Sequence, residues 1–117
     1  MKFVQKGWGH ELWIHNDKMY CGKLLYFNKD KRCSFHYHRV KHETFYLQSG
    51  KMTLRVIPLD ELTETSTNIQ SIELNPGDMY ELPPETVHQM IAHEDSELFE
   101  FSTEHFDEDS IRLIKGD

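Results

Sequence analysis

Between residues 36 and 50 the chain reads His-Tyr-His-Arg-Val-Lys-His-Glu-Thr-Phe-Tyr-Leu-Gln-Ser-Gly, and no other stretch constrains the fold as much. His36 and His38 are two positions apart, so on a strand both imidazoles leave the same face. Glu43 follows after a break, where a neighbouring strand can return a carboxylate toward those two nitrogens. Two imidazoles and a carboxylate supply three-quarters of a metal site. A fourth ligand is on offer far down the chain in His88, which ends Pro83-Pro84-Glu85-Thr86-Val87-His88 after Asn75-Pro76-Gly77-Asp78. The histidines outside this set (His10, His15, His42, His93 and His105) read as exposed or hydrogen-bonded rings.

Around these residues the pattern is one of short strands. Residues 11–15, 19–27, 33–38, 44–47, 51–57, 69–74, 79–82, 87–93 and 98–102 are strand candidates, divided by turns at 16–17, 28–31, 49–50, 75–78 and 93–96. Strands this short, evenly spaced and punctuated by Gly, Pro and Asn predict an all-β sandwich or barrel. Residues 58–68 are polar and unpatterned and read as a surface loop. Residues 106–115 read as a short helical turn around Asp107-Glu108-Asp109-Ser110, with Ile111, Leu113 and Ile114 covering an open end of the barrel. Phe45, Leu47, Met52, Leu54 and Met90 are expected in the core, on the faces that line the bowl.

Composition narrows the class. A chain of 117 residues holds one domain with one core. Its net charge of -7 argues against nucleic acid or an anionic membrane as partner, since phosphate surfaces demand a concentrated positive footprint. There is no apolar run of membrane-spanning length and no secretory apolar core at the N-terminus, so the expected location is cytoplasmic. Cys21 and Cys33 read as free thiols, because two cysteines at this spacing make neither a disulfide framework nor a zinc cluster.

The motifs resemble those of the cupin superfamily. His36, His38, Glu43 and Gly50 fall on its first motif, and Gly77, Pro83 and His88 on its second. Asp30 and Glu85 stand where that family usually has Gly, and Ala92 where it usually has Asn. The resemblance implies an all-β double-stranded β-helix, a jelly-roll barrel, spanning residues 1–117. It also implies one divalent transition metal (Zn, Mn, Fe, Co, Ni or Cu) held by His36, His38, Glu43 and His88.

Further along, the chain is similar to the cupin domain of mannose-6-phosphate isomerases of the bifunctional isomerase and guanylyltransferase type. Trp8-Gly9, the run from Asn16 to Lys23, Ser34 with His38 and Glu43, and Glu108-Asp109-Ser110-Ile111-Arg112 carry that likeness, with His36 in place of the family's Gln. It implies aldose-ketose isomerisation of a phosphorylated sugar, with Lys23 and Arg112 meeting the phosphate and Lys41 a weaker third candidate. Glu85 is the expected proton carrier at the mouth of the bowl, although a carboxylate there would equally repel a phosphate. Two other classes stay open: a dioxygenase using iron, copper or nickel, and a non-catalytic sugar-binding cupin. A homodimer is expected, covering open strand edges and the segment that contains Phe3, Val4 and Trp8.

Overall fold

Strict alternation sets the architecture. In Cys21–Phe27 the odd residues are buried and the even ones half-buried, the period of a strand with one face turned to a core. A computed structural model describes residues 1–65 and 68–117. In chain order its strands are β1 (Lys2–Lys6), β2 (Gly9–Asn16), β3 (Cys21–Phe27), β4 (Phe35–Tyr37), β5 (Glu43–Ser49) and β6 (Met52–Pro58). They continue as β7 (Gln70–Leu74), β8 (Met79–Leu82), β9 (Thr86–Ala92), β10 (Ser96–Ser102) and β11 (Ile111–Ile114).

They form two antiparallel sheets, one of six strands in the order β1-β2-β3-β10-β5-β8, the other of five in the order β11-β4-β9-β6-β7. Leu25, Phe27, Phe45, Leu47 and Leu98 from the first meet Met52, Leu54, Val56, Met90 and Ala92 from the second in one buried core. The jelly-roll arrangement expected from the sequence is the one observed.

Turn geometry accounts for the departures from the motif pattern. Gly50 and Gly77 have φ of 94° and 96°, where a side chain is disfavoured, and Asp30 and Glu85 take φ of 68° and 61° at the two positions where Gly was expected. The turns keep their shape with non-glycine residues in them. Cys21 and Cys33 are free and buried.

Three expectations need correction. Residues 2–6 form a strand at the edge of the larger sheet, and Trp8 is not surface to be covered: it is 7% exposed and stacked on Phe27 at 4.0 Å. Residues 58–68 are not a plain polar loop, because Leu59–Glu61 is a 3-10 turn, and Leu59 and Leu62 join Ile69 and Ile111 over a second apolar cluster of Phe35, Tyr37, Ile57 and Val87. Ser66 and Thr67 of that stretch lie outside the described residues. Finally, the 3-10 turn Asp107–Asp109 leads into β11, which pairs with β4 and leaves Leu113 and Ile114 46% and 60% exposed, so only Ile111 covers apolar surface. No helix among the described residues is long and apolar enough to cross a membrane.

Candidate metal centre

The second-motif histidine reaches the first by strand pairing. β4 runs antiparallel to β9 with His36 opposite His88, and their rings lie 4.4 Å apart between centroids. His38, just past the end of β4, brings a third ring 5.2 Å from His36. The liganding atoms of the three lie within 4.8 Å of one another.

Each ring is oriented by the main chain. His36 Nδ1 lies 2.9 Å from the carbonyl oxygen of Ser34, His88 Nδ1 2.9 Å from that of Thr86, and His38 Nδ1 3.1 Å from that of Asp109. A carbonyl only accepts, so Nδ1 carries the proton and Nε2 keeps its lone pair. Glu43 opens β5 in the opposite sheet and sets Oε2 3.5 Å from His38 Nε2 and 3.4 Å from His88 Nε2. Ligands about 2.1 Å from one ion in cis positions stand about 3 Å apart, close to this spacing.

The donor set fits a divalent cation. His88 Nε2 is buried without a hydrogen-bond partner, aimed at a carboxylate oxygen that also has no proton to give when ionised. A cation satisfies both atoms together. Burial first, and neighbouring positive or imidazole groups next, push His36 and His38 down to about 3; burial likewise takes His88 to about 4. The rings are therefore neutral at pH 7, the form that ligates. Burial, with Glu100's charge behind it, pushes the Glu43 carboxyl up to about 8. A bound cation acts in the opposite direction.

Behind the carboxylate is a buried charge network that the sequence reading missed in large part. Lys41 Nζ lies 2.6 Å from Glu100 Oε2, 3.0 Å from His105 Nδ1 and 3.8 Å from Glu43 Oε1. His105 Nε2 in turn reaches Asp107 Oδ1 at 3.0 Å. Burial opposes the Glu100 charge, but Lys41 and Lys23 overcome it and hold that carboxyl down to about 2. The same carboxylates, Glu100 first and then Glu43, outweigh burial at Lys41 and raise its pKa. Asp109 fixes the loop that carries Lys41 by accepting the backbone N–H groups of Arg39, Val40 and Lys41 at 2.8, 3.2 and 3.1 Å.

A cavity of about 520 Å³ opens onto His36, His38 and Glu43, and β1 forms part of its wall. Lys23, Lys41 and Arg112 all line it. Lys23 is 2% exposed, 3.6 Å from Glu11 Oε1 and 4.1 Å above the Trp13 ring. Arg112 sits opposite His36 in the β11–β4 pairing. Glu85 is apart from these: its side chain is 54% exposed, 3.5 Å from Arg39, and does not line the cavity. Parity would have exposed part of the missed network, since Glu100 shares a strand face with buried Leu98, and Lys23 with buried Cys21 and Leu25.

No family model matches the chain. A stretch of 60 residues is 40% identical to quercetin 2,3-dioxygenase of Bacillus subtilis (strain 168), covering 51% of this chain and 14% of that protein. The chain thus spans a small part of that relative's length. Among solved structures, CapF, a capsular polysaccharide assembling protein of Staphylococcus aureus, superposes with a TM-score of 0.81 at 16% identity, over 97% of this chain and 34% of that one. An RmlC-like cupin of Shewanella frigidimarina gives 0.73 at 16% identity, over 92% and 86%. A dTDP-4-dehydrorhamnose 3,5-epimerase of Sulfolobus tokodaii gives 0.68 at 20% identity, over 79% and 56%. Likeness at such identities is likeness of fold, and with its two facing sheets and the inward histidines this chain has the cupin fold.

Proposed function

We propose that the chain is a metal-dependent enzyme acting on a small phosphorylated sugar, an aldose-ketose isomerase or epimerase of the mannose-6-phosphate isomerase kind. One observation carries the reading: a chain of net charge -7 gathers Lys23, Lys41 and Arg112 around a cavity that also exposes His36, His38 and Glu43, with His88 clustered behind them. Of these three, Arg112 is the one placed to take the phosphate, because among the described residues it has no ion-pair partner, whereas Lys23 is held by Glu11 and Lys41 by Glu100. His36, His38, Glu43 and His88 would hold a divalent metal, which would supply Lewis-acid polarisation of a sugar carbonyl. Lys41 and His105, in contact at 3.0 Å on the cavity wall, are the groups offered for proton movement, in preference to Glu85 outside it. The fold likeness to a sugar-nucleotide epimerase and a capsular polysaccharide protein supports the sugar class. The proposal includes a chain that pairs with itself, supported by large apolar side chains exposed on the six-stranded sheet.

A dioxygenase is the second reading, favoured by the local identity to quercetin 2,3-dioxygenase together with the cluster of His36, His38 and His88 beside Glu43. Protein purified without chelator or added metal separates the two when its metal content is measured and hexose and pentose phosphates are tried with that metal. Isomerisation with manganese, cobalt, nickel or zinc supports the first reading. Oxygen uptake with a flavonol, carried by iron or copper and without isomerisation, supports the second. Saturable sugar binding without turnover rejects both in favour of a binding cupin. In an active protein Arg112→Ala should raise KM for the phosphorylated sugar about 10- to 100-fold, the loss of one charged hydrogen bond, and leave metal content unchanged.

A further inference from the structure

The strand that presents His36 is weakly held on one flank. β4 is three residues long, and of its residues only His36 pairs with β9. Its other flank is covered from end to end by residues 109–117. β11 pairs with β4 at Ile111–Tyr37, Arg112–His36 and, past a bulge, Ile114–Phe35. The pairing runs on beyond the strand, because Asp117 donates its N–H to the carbonyl oxygen of Arg32 at 3.0 Å and accepts the Arg32 N–H on its carboxylate at 2.8 Å. Gly116 lies so close to Cys33 and Ser34 that a Cβ there would collide with their backbone. At the opposite end the Asp109 carboxylate closes on the N–H groups of Arg39, Val40 and Lys41. Two aspartates thus bracket the whole stretch from Arg32 to Lys41 that carries His36 and His38.

Both rings lean on this segment. Gly116 backs Ser34, whose carbonyl accepts from His36 Nδ1, and the carbonyl of Asp109 accepts from His38 Nδ1. The segment also reaches the other sheet, since Gly7, in the turn between β1 and β2, leaves room for the backbone of Asp117. Apolar packing contributes little to holding it: Leu113 and Ile114 are exposed, and only Ile111 meets an apolar cluster. A sheet edge fastened by strand pairing and polar clasps sits at the low-stability end of a fold and opens as a unit.

We propose that residues 109–117 are a detachable splint for the metal centre, with Asp117 as a positioning residue that acts on His36 and His38 through the backbone they share. The inference rests on the reading of His36, His38, Glu43 and His88 as metal ligands. With the splint docked, the two first-motif rings are aimed. With it released, two of the four ligands lose their aim and the ion is lost more readily. By linkage, a bound ion holds the splint down in the same measure.

Zinc affinity by competition with a chelator, and backbone amide exchange followed residue by residue, test this on the full chain, on Asp117→Ala and on Asp117→Asn, whose amide oxygen still accepts the Arg32 N–H. Circular dichroism establishes that each variant is folded. Asp117→Ala should bind zinc about tenfold more weakly, the low end of what the partners of metal ligands contribute, and Asp117→Asn should restore most of the loss. Leu74→Ala, a core cavity away from the segment, should lower stability and leave zinc affinity within about twofold. In metal-free protein the amides of Arg39, Val40 and Lys41 should exchange about tenfold faster in Asp117→Ala, although they lie at the far end of the bracket, and zinc should slow them in the parent chain. Unchanged exchange at those three amides overturns the splint as a unit, whether or not zinc binds. Faster exchange with unchanged zinc affinity overturns its hold on the metal, and an equal loss in Leu74→Ala overturns Asp117 as a positioning residue. A parent chain that takes up no zinc, with amides that behave as expected, overturns the metal reading and keeps the splint.

Discussion

The five-stranded sheet turns His36 and His88 inward as neutral rings, whereas the six-stranded sheet turns Lys23 and Glu100 inward as charges. The rings need only one acceptor each, and find it in a carbonyl two residues back along their own strand. The charges need one another: Lys41 holds Glu100 at 2.6 Å and Glu43 at 3.8 Å, all three nearly solvent-free. A neutral donor can be buried ready for a metal at small cost, while a buried carboxylate requires a cation, built in or bound. Glu43 stands where the two solutions meet, and a bound cation would complete both.

The strongest way to break that contrast is acid. Without a bound cation, burial holds the three clustered histidines down at about 3 to 4, below the ordinary 6.5, so the unfolded chain takes up protons first as the pH falls. Their contribution is complete above pH 6.5 and is lost toward pH 4, and unfolding is expected within that window. Glu43, raised to about 8 from 4.5, has the opposite sign: its contribution is complete below 4.5 and fades as the pH rises through about 8. Melts at stepped pH with chelator present check both, and a profile flat from pH 7 to 4 would contradict the neutral rings.

Lys41→Met attacks the other half. With its cation gone, the Glu100 carboxylate loses its 2.6 Å partner while staying buried, and the loss should be about 3–5 kcal/mol by denaturant titration. A loss below 1 kcal/mol would mean that water reaches the pair. For the imidazole side, His88→Ala should cost about 3–4 kcal/mol of metal binding, several hundred-fold, taking a quarter of the roughly 10–16 kcal/mol of a four-ligand zinc site. Competition with a chelator of known affinity measures it, and unchanged retention would remove His88 from the ligand set. Smallest is Glu85→Gly, which relieves the left-handed φ of 61° and should stabilise the chain by about 1 kcal/mol, with metal affinity unaltered. Lost turnover in that variant would restore Glu85 as a proton carrier.

The strands with clear alternation were legible, and so was the spacing that brings four ligand types together. β1 was not, because five residues carrying two lysines and a glutamine give little burial contrast at a sheet edge. β11 was read as a helical turn because Asp107-Glu108-Asp109-Ser110 has the chemistry of a helix start, and the 3-10 turn there uses only the first part of that signal. The buried network stayed hidden for a different reason. Lys41, Glu100 and His105 are 59 or more positions from at least one partner in their cluster, and only folding juxtaposes them. Charged residues in strands otherwise read as solvent-facing.

All three rings hydrogen-bond to peptide oxygens, those of Ser34, Thr86 and Asp109, with the Ser34 hydroxyl, 3.1 Å from His36 Nδ1, as a further side-chain contact. Every amino acid supplies a peptide oxygen. The residues that aim the ligands can therefore change without turning a ring, so long as the backbone holds its path, and the cavity walls are free to drift toward new substrates around a centre that stays in place. A chain built this way separates what evolves from what must be kept.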